Sequence, residues 1–145
     1  MKAILRGLGI GAAALAVTLI SSGTAQAGTV FKDAGAKHSL KGCTNYVFMW
    51  NAGDKMYAYG QMNCDRSVVI ARPTIALSGN NGVTFKTSGK ACTRAVTCRT
   101  PTVTVKATKG WTYRASNSGT ASTGVPTESD ILWPLSSIAY VQVTL

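Results

Sequence analysis

From residue 43 onward, apolar and polar positions alternate with a period of two, and Gly, Asn, Asp and Ser clusters interrupt them at short intervals. Successive side chains of a strand point to opposite faces, so this pattern predicts half-buried antiparallel strands. PTVTVKAT (101–108) is the cleanest case, with Val103, Val105 and Ala107 on one face and Thr102, Thr104, Lys106 and Thr108 on the other. WTYRA (111–115) places Trp111, Tyr113 and Ala115 inward. CTNYVFMW (43–50) is apolar on both parities, Tyr46, Phe48 and Trp50 against Val47 and Met49, which predicts cover on both sides. KMYAYGQMNC (55–64) alternates Met56, Ala58, Gly60 and Met62 with Tyr57, Tyr59 and Gln61, and Gly60 marks a bulge or close approach.

The remaining segments carry breakers. A turn is predicted at Asp65-Arg66. SVVIARPTIAL (67–77) contains Pro73, which lacks the N–H of a central ladder and predicts an edge or bulged strand. SGNNG (78–82) turns through an Asn-Gly pair, and VTFKTSG (83–89) returns with Val83 and Phe85 in and Thr84 and Lys86 out. SNSGTASTGVPTESD (116–130) reads as the longest loop, ILWPL (131–135) is broken by Pro134, and SIAYVQVTL (137–145) is a final strand. With no sustained helical period after residue 27, the chain is predicted to be all-β. The expected architecture is a small antiparallel β-sandwich of about seven strands, immunoglobulin-like in layering only, with a small β-barrel as the alternative.

The first residues change the domain count. Lys2 and Arg6 precede an apolar run, LGIGAAALAVTLI (8–20), and AQA (25–27) offers small residues at a cleavage site. The run is about 13 residues, short of the roughly 20 that span a bilayer. Residues 1–27 are therefore expected to be a signal peptide that is removed, giving a secreted, extracellular protein with no membrane span after cleavage. GTVFKDAGAKHSLKG (28–42) has no period and reads as a flexible N-terminal arm, leaving 43–145 as a single β domain.

Export gives the four cysteines a meaning. In an oxidising compartment Cys43, Cys64, Cys92 and Cys98 predict disulfides, and four cysteines allow three pairings. Cys43–Cys64 and Cys92–Cys98 are preferred because each pair brackets a compact segment. The spacings contain no CxxC knuckle and His38 is the sole histidine, so no metal site is expected.

The same inventory argues against catalysis. Asp33, Asp54 and Asp65 fall in the arm and in turns, and Glu128 and Asp130 share the long loop, so no acid–base pair is evident. His38 lies in the arm, away from any nucleophile, and no nucleotide-binding or zinc-protease motif is present. Neither enzyme activity nor a cofactor is expected.

Charge and aromatics remain. The chain has 15 Lys and Arg against 5 Asp and Glu, and no acid lies between Arg66 and Glu128. Within that interval Lys86, Lys106 and Arg114 are expected on outer faces, with Lys90, Arg94 and Arg99 around the small disulfide loop. Together they would make one side positive, which either only keeps the protein soluble, as the preferred reading, or attracts polyanions such as teichoic acids, anionic lipid headgroups, extracellular DNA or acidic polysaccharide. Tyr57 and Tyr59, with Trp50 and Trp133, are either an outer aromatic strip suited to carbohydrate or protein contact or, as the preferred reading, part of the core. The predicted function is a secreted non-catalytic binding or structural module that contacts anionic cell-envelope or matrix polymers, or another secreted or cell-surface protein. A secreted effector, such as a protease inhibitor or small antibacterial toxin, is the alternative. Specific nucleic-acid recognition is not expected.

In order and spacing the chain resembles a class of small exported actinobacterial proteins, mostly of uncharacterised function. The likeness rests on a cysteine opening the first strand (CTNYVFMW), a glycine-containing strand ending in a second cysteine (YAYGQMNCDRS), the hairpin IALSGNNGVTF, the close pair CTRAVTC and the tryptophan of KGWTYRASNSG. It covers about 43–120, while Pro73 and ILWPL fit it less well. The resemblance implies a disulfide-pinned β domain and supplies no active residues. The chain also shares its size and compartment with the small four-cysteine carriers of enediyne antibiotics, which makes a small-ligand carrier a minor alternative. Their first cysteine pair is much closer together than Cys43 and Cys64.

Overall fold

The computed structural model describes residues 31–37, 42–122 and 138–145. The expected signal peptide, His38, Glu128, Asp130, Trp133 and ILWPL lie outside the described residues. Among the described residues, eight antiparallel strands form one sheet: β1 (Phe31–Lys37), β2 (Cys43–Ala52), β3 (Lys55–Gly79), β4 (Thr84–Gly89), β5 (Cys92–Arg99), β6 (Val103–Lys106), β7 (Thr112–Ser122) and β8 (Ala139–Thr144). The hydrogen-bonded order β1-β2-β3-β7-β8 brings β8 back alongside β1. Of the two layouts open at the sequence level, the chain adopts the nearly closed barrel.

The long strand β3 is the spine. Its first half pairs with β2 on one side and with β5 and β6 on the other. Its second half pairs with β7 on one side and with β4 and β5 on the other. No turn interrupts it at Asp65-Arg66. The β5 register instead shifts between Asn63 and Val68, and the buried parity changes from Met56, Ala58 and Met62 to Ala71, Ile75 and Leu77. An irregularity that bends a strand while keeping both arms hydrogen-bonded is a β-bulge. Both ends of β3 therefore arrive at the same end of the barrel, where Ala107 N–H bonds to Asp54 O and Asn80 N–H to Thr112 O.

Both disulfides staple the opposite end. Cys43 and Cys64 face each other across β2 and β3, and Cys92–Cys98 lies within β5. Six residues of extended strand would span about 20 Å, yet the Cα atoms of Cys92 and Cys98 are 5.8 Å apart. The segment between them thus doubles back, with Arg94 at φ 49°, and its two arms bond to β3 on either side of the bend. Cys43, Met62, Val68, Ala71, Cys98 and Ala121 form a small core at this end.

The larger core is built from Val47, Met49, Met56, Ala58, Ile75, Leu77, Val103, Val105, Tyr113, Ala115, Ala139 and Val141. Val103, Val105, Tyr113 and Ala115 sit where the alternation puts them. Buried polar groups need partners. The Tyr113 hydroxyl has two, donating to Lys106 O at 2.9 Å and accepting from Thr108 N–H at 2.8 Å. Asn117 reaches across the interior from β7, its Nδ2 donating to Tyr46 O (2.8 Å) and Gln61 O (3.1 Å).

Several expectations are corrected. Residues 31–37 of the supposed arm form β1, paired along its length with β2, so main-chain pairing orders a segment that lacks an apolar period. Ser116–Ser122 of the supposed loop continue β7, because the alternate residues Ala115, Asn117, Gly119 and Ala121 are small enough to face a crowded interior. Pro73 opposes Gly119 of β7 on one side, and on the other it falls in the gap between Ala71, paired to β5, and Thr74, paired to β4. Its carbonyl accepts from Lys90 N–H at the link between β4 and β5. A strand residue aims N–H and C=O to the same side, so the missing donor falls at this gap and the β7 ladder loses nothing. Finally, Val83 and Phe85 are 71 % and 59 % exposed, not buried. Opposed residues of an antiparallel pair share a face, and here Leu77 opposes Lys86 while Ser78 opposes Phe85. Lys86 therefore sits on the side of Leu77, and Phe85 points outward.

Candidate functional site

The outer face of β1, β2 and the first half of β3 carries a half-buried aromatic row. Alternation in β2 sends Val47 and Met49 inside, so Tyr46, Phe48 and Trp50 must face out. In β3 Met56 and Ala58 go inside and send Tyr57 and Tyr59 out. The pairing aligns them, with Phe48 opposite Tyr59 and Trp50 opposite Tyr57. Phe48 and Tyr59 stack at 4.6 Å between centroids, and Trp50 and Tyr57 at 5.3 Å with planes only 10° apart. Trp50 also meets Tyr59 edge-on at 5.9 Å, and Phe31 of β1 lies 6.3 Å from Phe48. These residues form an outer strip, where the preferred sequence reading placed them in the core.

At the β5 edge of this row the Arg99 guanidinium carbon lies 3.6 Å from the Tyr59 ring centroid. The row Phe31, Phe48, Tyr59, Arg99 thus crosses four strands and ends in an exposed cation. Attraction to the ring quadrupole holds a guanidinium face-on. Its in-plane N–H donors then remain suited to a carboxylate, phosphate or sulfate. On the next strand, Thr104 opposes Tyr57 and Lys106 opposes Lys55, so two exposed ammonium groups flank the same face.

The six basic residues singled out from the sequence do not share one face. Arg99 and Lys106 border the aromatic row. Lys90 lies with Arg72 along a shallow open depression of about 270 Å³, lined also by Pro73, Thr74, Gly89 and Ala91. Arg94 occupies the doubled-back part of β5. Arg114 lies on the outer face of β7, its Nε donating to Gln142 Oε1 at 2.9 Å, and Lys86 is exposed on β4. Tyr57 and Tyr59 are both in the row. Sequence reasoning missed Phe31, Tyr46 and Phe48 as its other members, and Lys55 as a flanking cation. The register implied by a Cys43–Cys64 bridge was the available signal, because it brings Phe48 opposite Tyr59.

The described carboxylates stand apart from one another. Asp33 is exposed and opposes Phe48, which places one acid on the β1 side of the aromatic face; Asp54 is in the β2–β3 turn, and Asp65 lies at the bend, its N–H bonded to Gly42 O. Among the described residues no three His, Cys, Asp or Glu side chains come close enough to share a metal ion. Comparison with protein-family models, curated proteins and solved structures finds no match to this chain. A small disulfide-containing β domain is what the fold and the cysteines establish, and two disulfides suit an oxidising environment.

Proposed function

We propose that the chain is exported and serves as a non-catalytic binding module, engaging an anionic polymer of the cell envelope or matrix through the aromatic–basic face of β1, β2, β3 and β5. The observation that carries this reading is Arg99 stacked on Tyr59 at the end of the aromatic row. Stacking removes conformational freedom from the guanidinium before any ligand arrives, so less is lost on binding. Lys55 and Lys106 add charge without geometric demand, and the half-buried rings of Trp50, Tyr57 and Tyr59 offer apolar contact to a sugar backbone. Anionic sugars carrying carboxylate, sulfate or phosphate groups present both features at a regular spacing.

The apolar run at 8–20 with the AQA site supports export, as does the resemblance to small exported actinobacterial proteins. The test is co-sedimentation of the oxidised protein with purified cell walls and with soluble acidic and neutral polysaccharides, at low and high salt. Retention on the acidic polymers that falls as salt rises is the expected result. Equal retention on neutral polymers, or none on acidic ones, rejects the reading.

A further inference from the structure

A second surface, away from Arg99, combines exposed apolar side chains with charge. The β3–β4 hairpin turns through Asn80, Asn81 and Gly82, all with positive φ, and Asn80 N–H ties the turn to Thr112 O of β7. The tip is thus fixed in place while Val83 and Phe85 are 71 % and 59 % exposed. Isolated exposed apolar residues are ordinary on a protein surface. These two project together from a braced turn at the end of the barrel opposite the disulfides. Arg114 opposes Ser78 on one side and Phe85 opposes it on the other, so cation and ring flank one small residue. Lys86, also exposed, projects from the opposite face of β4, and Lys109 is exposed in the neighbouring turn, which Gly110 N–H ties to Leu145 O. No acid occurs in the sequence from Arg66 to Thr127, which contains all of these residues, and Asp54, whose carbonyl accepts from Ala107 N–H, is the carboxylate that the β2–β3 turn brings to this end.

We infer that this hairpin end docks on the surface of an anionic lipid bilayer, with Val83 and Phe85 entering the headgroup boundary and Lys86, Lys109 and Arg114 lying against lipid phosphates. The tip is convex. A protein partner would need a matching pocket, whereas a fluid headgroup layer yields around a projecting apolar pair. Cations on and beside an apolar tip complement a negative lipid surface, each contributing about a fivefold gain in affinity. This surface shares no residue with the Arg99 face, so either reading can fail alone.

The test is flotation of the oxidised protein, in its exported form, with vesicles of phosphatidylcholine alone or mixed with phosphatidylglycerol. Binding to the mixed vesicles only is expected. Val83→Ser with Phe85→Ser should lower it by about tenfold or more. The triple change Lys86→Gln, Lys109→Gln and Arg114→Gln should abolish the preference for anionic lipid. Phe85→Trp supplies a local readout, because brominated lipid should quench it beyond the parent chain's own tryptophans. Undiminished binding of the Val83/Phe85 variant, no added quenching at position 85, or no binding to mixed vesicles each overturns the inference. Arg99→Gln should leave vesicle binding unchanged, and a large loss there would assign lipid binding to the aromatic–basic face instead.

Discussion

Asn117 occupies the space in which a side chain on Gly60 would stand. A Cβ built on Gly60 would lie 2.3 Å from Asn117 Oδ1 and 2.4 Å from its Cγ, and the amide uses that space to reach Tyr46 O and Gln61 O. Glycine on β3 and asparagine on β7 form one device that ties opposite walls of the barrel. Gly60→Ala should destabilise the fold by about 3 kcal/mol, through overpacking and lost hydrogen bonds. Asn117→Ala should cost about 1–3 kcal/mol. In the double variant the Gly60→Ala penalty should shrink, because the clashing group is gone. Urea unfolding of the four proteins measures the coupling, and strictly additive penalties would contradict the assignment.

Gly119 and Pro73 form a second such pair. A Cβ on Gly119 would lie 2.4 Å from both Arg72 O and Pro73 Cα, so any side chain there must push β7 off β3. Gly119→Ala is expected to cost about 3 kcal/mol or more, since the obstacle is backbone and cannot rotate away. Thr120→Ala, on the outward-facing neighbour, should change stability by less than about 0.5 kcal/mol. Thermal unfolding of both variants distinguishes a strained contact from a generally sensitive strand.

The disulfides should differ in weight. Cys43–Cys64 closes a separation of 21 residues and Cys92–Cys98 one of 6. On the loop-entropy model their removal costs roughly 3 and 2 kcal/mol respectively. Paired Cys→Ala variants followed by denaturant titration test the order. Loss of the second bridge should also loosen the Arg99 end of β5, which hydrogen-exchange protection of 97–99 would report.

Binding at the proposed aromatic–basic face should depend on ring faces as well as charge. Tyr59→Leu keeps bulk but removes the quadrupole that holds Arg99. It should weaken acidic-polymer binding by about threefold to tenfold, with little change in stability. Tyr57→Leu should lose less, because Tyr57 stacks on Trp50 and not on Arg99. Binding isotherms for the two variants at one salt concentration decide this, and equal losses would mean that Tyr59 has no special part.

Much of this was legible in the residues, and the gaps have physical causes. The period-two pattern located β6 and the start of β7, aromatic and β-forming residues located β2, and the preferred cysteine pairing gave both bridges. The arm at 31–37 was missed because β1 is ordered by main-chain pairing to β2 rather than by an apolar face of its own. The facing of Phe85 was misread because it is set by the partner Ser78, not by its own hydrophobicity. The aromatic row was half seen. Local sequence cannot say which face of CTNYVFMW is covered, but counting from Cys43 opposite Cys64 puts Phe48 on Tyr59 and Trp50 on Tyr57. The cations were grouped by sequence proximity, whereas the structure puts Arg99 and Lys106 beside the aromatic row, Lys90 along the depression with Arg72, and Arg94 in the doubled-back part of β5.

The most direct test of the proposed function is the affinity for an acidic polysaccharide of the parent protein, Arg99→Lys and Arg99→Gln, measured by titration calorimetry across a salt series. A stacked, planar guanidinium is replaced poorly by a point charge. Arg99→Lys should therefore lose about threefold to tenfold in affinity with nearly the parent's salt dependence. Arg99→Gln should lose at least as much affinity and also show a shallower dependence on salt. If both variants bind as tightly as the parent, Arg99 stacked on Tyr59 is not the polymer site.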